Sequence, residues 1–134
     1  MAQLKQYITF LLMMAMLALT PGSAFAEPLP KQVGACSATT IKSIGTRLVD
    51  GTTTAPVPGS GSAVIFVNGG YQVSYDTISA IQRSKPGDHV SVCLVSLPTD
   101  CPKGDDRGRI YKTTNLRTGQ SWQLPDSEHS CGGA

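Results

Sequence analysis

The densest group of charged side chains lies in a proline- and glycine-rich segment, residues 101–109. Adjacent carboxylates and guanidiniums form charge-assisted hydrogen bonds with one another, so such a group can order the loop that carries it. The same charges can instead contact a partner, which would make the segment a recognition loop. The sequence leaves both roles open. The charged residues are Lys103, Asp105, Asp106, Arg107 and Arg109.

Two large aromatic residues follow this segment. Tyr111 is the second residue after it, and Trp122 is the single tryptophan of the chain. Tryptophan, tyrosine and arginine concentrate at the centres of protein interfaces. We expect Trp122 to cap the core; the alternative is an exposed position beside Arg117 and Tyr111, where it would contact a partner. The candidate binding residues are therefore Lys103, Asp105, Asp106, Arg107, Arg109, Tyr111 and Trp122.

The residue types that catalyse hydrolysis or bind metals are present but do not form a known motif. Residues 126–130 place Asp, Ser, Glu and His side chains close in sequence, yet adjacency does not produce triad geometry. Nucleophile-elbow and zinc-protease motifs are absent, and so is a complete calcium loop. We therefore assign no catalytic residue, metal ligand or cofactor. The enzymatic alternative is a small hydrolase or metal-dependent enzyme that uses Asp105, Asp106 and His129.

The four cysteines predict two structural disulfides. An even number of cysteines in an exported chain indicates disulfide bonding, whereas a zinc site is disfavoured because no Cys-x-x-Cys pair occurs. Three pairings are possible. The proline-rich segment between Cys93 and Cys101 can fold back and favours a bond between these two, which leaves Cys36 with Cys131.

Residues 1–26 have the features of an export signal. Lys5 precedes an apolar run at residues 8–19, and Ala24 and Ala26 fit the small-x-small cleavage rule. A transmembrane anchor is the alternative, but a membrane-spanning helix needs roughly 20 apolar residues. We expect an exported protein, periplasmic or extracellular, with no membrane span after cleavage.

Residues 27–134 predict a single small domain with an irregular N-terminal arm and a polar C-terminal tail. Removing Lys5 from the eleven basic residues leaves ten against nine acidic residues, a net charge of about +1. No basic stripe alternates with aromatic residues, so nucleic-acid binding has no support. Few aromatic residues remain for the core, and we expect the disulfides to supply part of the stability.

Alternating apolar and polar residues predict an all-β fold. Glycine-containing turns at residues 68–70 and 117–119 predict two tight hairpins. The architecture expected is a small antiparallel barrel or sandwich of about six strands. Residues 76–84 are either a short helix capped by Asp76 or an irregular crossover. The predicted strands are residues 39–49, 63–68, 71–75, 89–97, 109–116 and 120–124.

Three features within these strands carry further expectations. Residues 90–97 are apolar on both faces, which predicts core on both sides or a loop covering one face. Strict alternation places Tyr71, Val73 and Tyr75 together on one face, directed toward the core or a ligand. Gly45 is expected to mark a β-bulge or bend.

No motif identifies a family of known activity. Small size, predicted disulfides and charged loops favour a β-domain that binds an unknown protein or envelope ligand. Such a domain would act as an inhibitor or accessory protein of the cell envelope. A purely structural envelope protein is the remaining alternative.

Overall fold

A computed structural model describes residues 26–133 and shows a nearly all-β fold, as predicted. Six antiparallel strands form one sheet in the order β3-β2-β1-β4-β5-β6, which curls into a half-barrel. The expected export signal lies outside the described residues except for Ala26. The strands are β1 (Cys36–Thr46), β2 (Ser62–Phe66), β3 (Tyr71–Ser74), β4 (His89–Ser96), β5 (Ile110–Asn115) and β6 (Ser121–Pro125).

The long strand β1 joins the two halves of the sheet. Its first half pairs with β4 and its second half with β2, so it links the β1-β2-β3 meander to the β4-β5-β6 meander. The register with β2 shifts between Ile41 and Ser43. The irregularity therefore lies at Lys42, and the prediction that placed it at Gly45 is wrong. A bulge increases local twist and bends the strand, which lets β1 serve both halves.

The core lies on one face of β4 only. Val90, Val92 and Leu94 are each 1 % exposed, whereas Val95 and Leu97 on the outer side face solvent. The expectation of core on both sides is wrong. An antiparallel sheet can bury one face and expose the other, and here the buried face is the one inside the curl. The largest members of this core are the aromatic residues Phe66, Tyr111 and Trp122.

Gln72 closes the curled sheet between its two edge strands, β3 and β6. Its side-chain Nε2 donates to the carbonyls of Tyr111 (2.8 Å) and Leu124 (3.1 Å). Its Oε1 accepts from the Thr113 hydroxyl (2.6 Å) and the Trp122 indole N–H (2.8 Å). All four hydrogen-bonding positions of the amide are therefore used.

The predicted alternation in β3 does not hold. Gln72 and Val73 are both buried, Tyr71 is half-buried and Tyr75 is 57 % exposed. Tyr75 lies beyond the end of β3 and is exposed, so the three residues do not form one continuous buried face. The centre of β3 is covered on both sides, so exposure does not alternate along it although successive side chains still point to opposite faces.

Both tight turns form as predicted, with Gly69 (φ +87°) and Gly119 (φ +71°) in the left-handed conformation that glycine accommodates. The ambiguous segment contains a single helical turn, α1 (Ser79–Gln82). Its N-cap is Ile78, and the predicted cap at Asp76 is wrong. Within residues 26–133, no helix has the length and hydrophobicity that crossing a membrane requires.

All four cysteines form disulfides, but the expected pairing is wrong. Cys36 bonds to Cys93, and Cys101 bonds to Cys131. Cys36 and Cys93 are directly opposite each other in the β1–β4 ladder. The register of β1 and β4 brings them together. The proline-rich segment that follows Cys93 does not fold back to pair Cys93 with Cys101.

Candidate functional site

The charged segment lies in an irregular connection between β4 and β5. Residues 98–109, here called the tethered loop, contain no strand or helix. The C-terminal tail, residues 126–133, lies alongside and is joined to the loop by the Cys101–Cys131 disulfide. The Cys131 N–H also donates to the carbonyl of Arg107 at 2.8 Å. A covalent bond and backbone hydrogen bonds thus hold the loop against the tail.

Asp105 connects the loop to the tail through its carboxylate. Arg107 makes a bidentate contact, Nε to Oδ1 and Nη2 to Oδ2, both at 2.9 Å. The Gly132 N–H donates to Oδ2 at 3.0 Å. Hydrogen bonding from Arg107, and then from Gly132, holds the pKa of Asp105 well below its ordinary value. This pair of predicted binding residues therefore has an internal, structural role.

Asp126 fixes the other side of the tethered loop. Its Oδ1 accepts from the Gly108 N–H at 2.8 Å, and its own N–H donates to the carbonyl of Arg109 at 3.0 Å. Gly108 has φ +107°, and a Cβ there would lie 3.4 Å from the Cα of Ser130. The 3.4 Å distance is an ordinary van der Waals contact, so it is the positive φ that favours glycine at this position.

The tail does not assemble a catalytic triad. The Ser127 hydroxyl donates to the carbonyl of His129 at 2.7 Å, and the His129 side chain is exposed. Glu128 forms a salt bridge with Arg47 at 3.4 Å. Among residues 26–133, no cluster of three or more His, Cys, Asp or Glu side chains could hold a metal ion.

The other charges of the tethered loop differ in their exposure. Asp106 pairs with Arg109 across three residues, and the Asp106 side chain is 71 % exposed. Lys103 is exposed and forms no salt bridge within the described part of the chain. The predicted loop residues thus divide into two groups. Asp105 and Arg107 hold the loop in shape, while Lys103 and Asp106 are exposed beside Arg109, whose side chain is 33 % exposed.

A groove of about 290 Å³ borders the tethered loop. Leu97 and Tyr111 line it, residues 28–31 of the N-terminal arm form one side, and Arg109 lies where the groove meets the loop. Tyr111 is nearly buried, and burial raises the pKa of its hydroxyl while the neighbouring Arg109 lowers it. A predicted binding residue, Tyr111, therefore contributes to a concave surface next to the exposed charges.

The N-terminal arm is fixed in place, which makes the groove a preformed feature. The Glu27 N–H donates to the Ala38 carbonyl at 2.9 Å, and the Ala38 N–H donates to the Glu27 carboxylate at 2.7 Å. The Ser37 hydroxyl donates to the carbonyl of Pro28. Leu29 packs against the core. The arm residues that line the groove are therefore held by β1 and by apolar contact.

Trp122 lies in the core, the first of the two positions that the sequence left open. It is 5 % exposed, and its indole N–H is occupied by Gln72. It is therefore not part of the surface formed by the tethered loop. The candidate residues that the structure brings together at one end of the sheet are the five loop charges and Tyr111.

Two buried polar residues have structural roles that the sequence did not indicate. One is Gln72, whose partners lie far away in the chain. The other is Asp88, 4 % exposed, which accepts hydrogen bonds from Arg117 (2.6 and 2.8 Å), Asn115 (2.8 Å) and the Lys85 N–H (2.9 Å). Hydrogen bonding from Arg117 is the largest cause of the strongly lowered pKa of Asp88. This cluster lies at the opposite end of β4 and β5 from the tethered loop.

Comparison with known proteins adds no assignment. No protein-family model, no curated protein and no solved structure matches this chain.

Proposed function

We propose that this is an exported binding protein that uses the tethered loop and the adjoining groove to contact a protein of the cell envelope, as an inhibitor or accessory protein. The two disulfides support an oxidising compartment, because such bonds persist outside the cytoplasm. The signal-like residues 1–26 support the same location.

One observation carries the proposal: an irregular, charged loop is held rigid by bonds that leave several of its charges exposed. The Cys101–Cys131 disulfide and the Asp105 carboxylate restrain the loop, while Lys103 and Asp106 remain at the surface. A loop ordered before binding loses less conformational entropy when a partner binds.

The exposed charges determine the kind of contact. Lys103 and Asp106 are exposed, and the partly exposed Arg109 beside Asp106 adds a second positive charge. Charges at the rim of an interface steer encounter and exclude wrong partners more than they add affinity. The partner surface is therefore expected to be net acidic where it meets the loop.

The test is capture of a partner from the native envelope fraction by the oxidised protein, compared between two charge-reversal variants. Lys103→Glu should abolish saturable capture or weaken it at least tenfold. Lys112→Glu makes the same change in net charge at an exposed position on the outer side of β5 and should leave capture intact. Urea unfolding of both variants confirms that the fold is retained. Equal capture by the two variants, or capture that never saturates, would refute the proposal.

A further inference from the structure

The groove beside the tethered loop combines an apolar lining with positive charge. Leu29 and Leu97 supply aliphatic surface, and Tyr111, which is 3 % exposed, forms part of the wall. Lys31 and Arg109 line the same groove. Ligand sites of this kind surround an apolar group and orient it with a few polar contacts. The groove therefore matches a ligand with an apolar body and a negatively charged end.

The charge balance within the groove favours an anion. Lys31 forms no salt bridge with any residue in the range 26–133. Arg109 is paired with Asp106 through one terminal nitrogen, Nη2, and a guanidinium carries five N–H donors in total. Asp106 is mostly exposed to solvent, so its carboxylate is screened and can move aside. Two cations thus line the groove, one of them paired with the exposed carboxylate of Asp106, while Asp126 acts on Tyr111 from the loop side.

We infer that the groove binds the C-terminal residue of a polypeptide, with an aliphatic side chain against Leu29, Leu97 and Tyr111 and the terminal carboxylate between Lys31 and Arg109. Arginine binds carboxylates in a bidentate geometry that a single point charge cannot match. The inference rests on the proposed function and specifies the part of the partner that enters the groove.

The size and position of the groove favour a chain terminus over a free small molecule. Its volume of about 290 Å³ is at the lower end of the range for sites that enclose whole ligands, roughly 300–1,000 Å³. It suits one side chain with its carboxylate. Arg109 belongs both to the groove and to the tethered loop, so a chain whose last residue lies in the groove continues across the exposed charges of the loop.

The direct test is an NMR titration of the oxidised, exported protein with two synthetic peptides, acetyl-Gly-Gly-Leu as the free acid and as the C-terminal amide. The free acid should cause saturable shifts at Leu29, Lys31, Leu97 and Tyr111. The amide, which has the same side chain but no charge, should bind at least fivefold more weakly. Equal binding of the two peptides, or shifts spread over the whole surface, would overturn the inference. Tighter binding of N-acetyl-leucine than of the tripeptide acid would also overturn it. That result would identify a small carboxylic acid, and not the end of a polypeptide chain, as the ligand.

Matched variants test the electrostatic part of the inference. Lys31→Glu should weaken binding of the tripeptide acid about tenfold, whereas Lys42→Glu, an exposed lysine in β1 that does not line the groove, should not change it. Asp106→Asn removes the competing carboxylate and should strengthen binding two- to fivefold. A merely structural Asp106–Arg109 pair would give the opposite result.

The outcome for the groove can be separated from the outcome for the proposed function. If the tripeptide acid fails to bind but Lys103→Glu still abolishes capture of the envelope partner, the groove inference is wrong and the proposed function stands. If Lys103→Glu does not change capture, the proposed function is wrong whether or not the tripeptide acid binds.

Discussion

Replacing Gln72 with leucine should destabilise the fold more than any single change on the surface of the sheet. The substitution keeps a side chain of similar size but removes every hydrogen bond that closes the curled sheet between β3 and β6. In the wild-type protein Gln72 is 1 % exposed and its amide makes four hydrogen bonds. The loss of these bonds should lower the free energy of unfolding.

The cost follows from the groups that are left without a partner. In Gln72→Leu the Trp122 N–H and the Thr113 hydroxyl both lose their acceptor inside the core. A buried polar group without a partner costs about 1–3 kcal/mol, so two such groups cost about 2–6 kcal/mol. Rotation of the Thr113 hydroxyl and the added apolar surface of leucine recover part of this cost. We expect a net loss of about 3 kcal/mol, a large fraction of the roughly 5–15 kcal/mol typical of a domain.

The measurement is urea unfolding followed by the fluorescence of Trp122, the single tryptophan in the chain. The matched control is Gln123→Leu, the same substitution at an exposed position in β6. It should change the free energy of unfolding by no more than about 0.5 kcal/mol. A loss of less than about 1 kcal/mol for Gln72→Leu would show that the Gln72 amide does not hold the sheet closed.

Three further predictions concern other parts of the molecule. Because the folded pKa of Asp88 is lowered, its contribution to stability is present above the unfolded pKa of about 3.9 and is lost as the pH falls below it; Asp88→Asn should flatten that loss in acid-unfolding curves. Removing the Cys101–Cys131 bond by double serine substitution should cost about 3–4 kcal/mol in urea unfolding, since it closes a loop with a sequence separation of 30. Gly108→Ala should lower the melting temperature, because φ is +107° there, whereas Gly51→Ala, with no atom near its Cβ and no positive φ, should not.

The strands could be predicted from sequence because their signals are local. Alternating side chains and glycine turns depend on neighbours a few residues away, and the six segments they indicate are the six strands observed. The short helix was ambiguous because four residues are too few to establish a period of 3.6. The position of the bulge was missed because Gly45 is locally suited to one, whereas Lys42 carries no signal of its own.

The disulfide pairing and the closing amide could not be predicted because both depend on strand register. Cys36 and Cys93 meet only when β1 and β4 align as they do, and that alignment joins residues 57 positions apart. Gln72 looks like an ordinary polar residue in an alternating strand. Its buried position follows from the curl of the whole sheet, which places β5 and β6 across from it.

The sequence located the charged loop but not the contacts that its residues make. Sequence composition located the charged loop and Tyr111 next to it. It could not show that Asp105 and Arg107 bond to each other and to the tail, because Gly132 approaches only through the Cys101–Cys131 bond. Nor could it show that Trp122 is enclosed in the core.

The tethered loop is held independently of the core, so the two can be substituted independently. The core cluster includes no residue of the tethered loop, and the bonds that shape the loop run to the tail, outside the core. Substitutions at Lys103 or Asp106 therefore alter the exposed surface without disturbing either the core or the internal carboxylate network. Substitutions at Asp105 or Arg107 break the network that holds the loop. Under the proposed function, partner preference can thus vary at the outer positions while the same disulfide-bonded scaffold is kept.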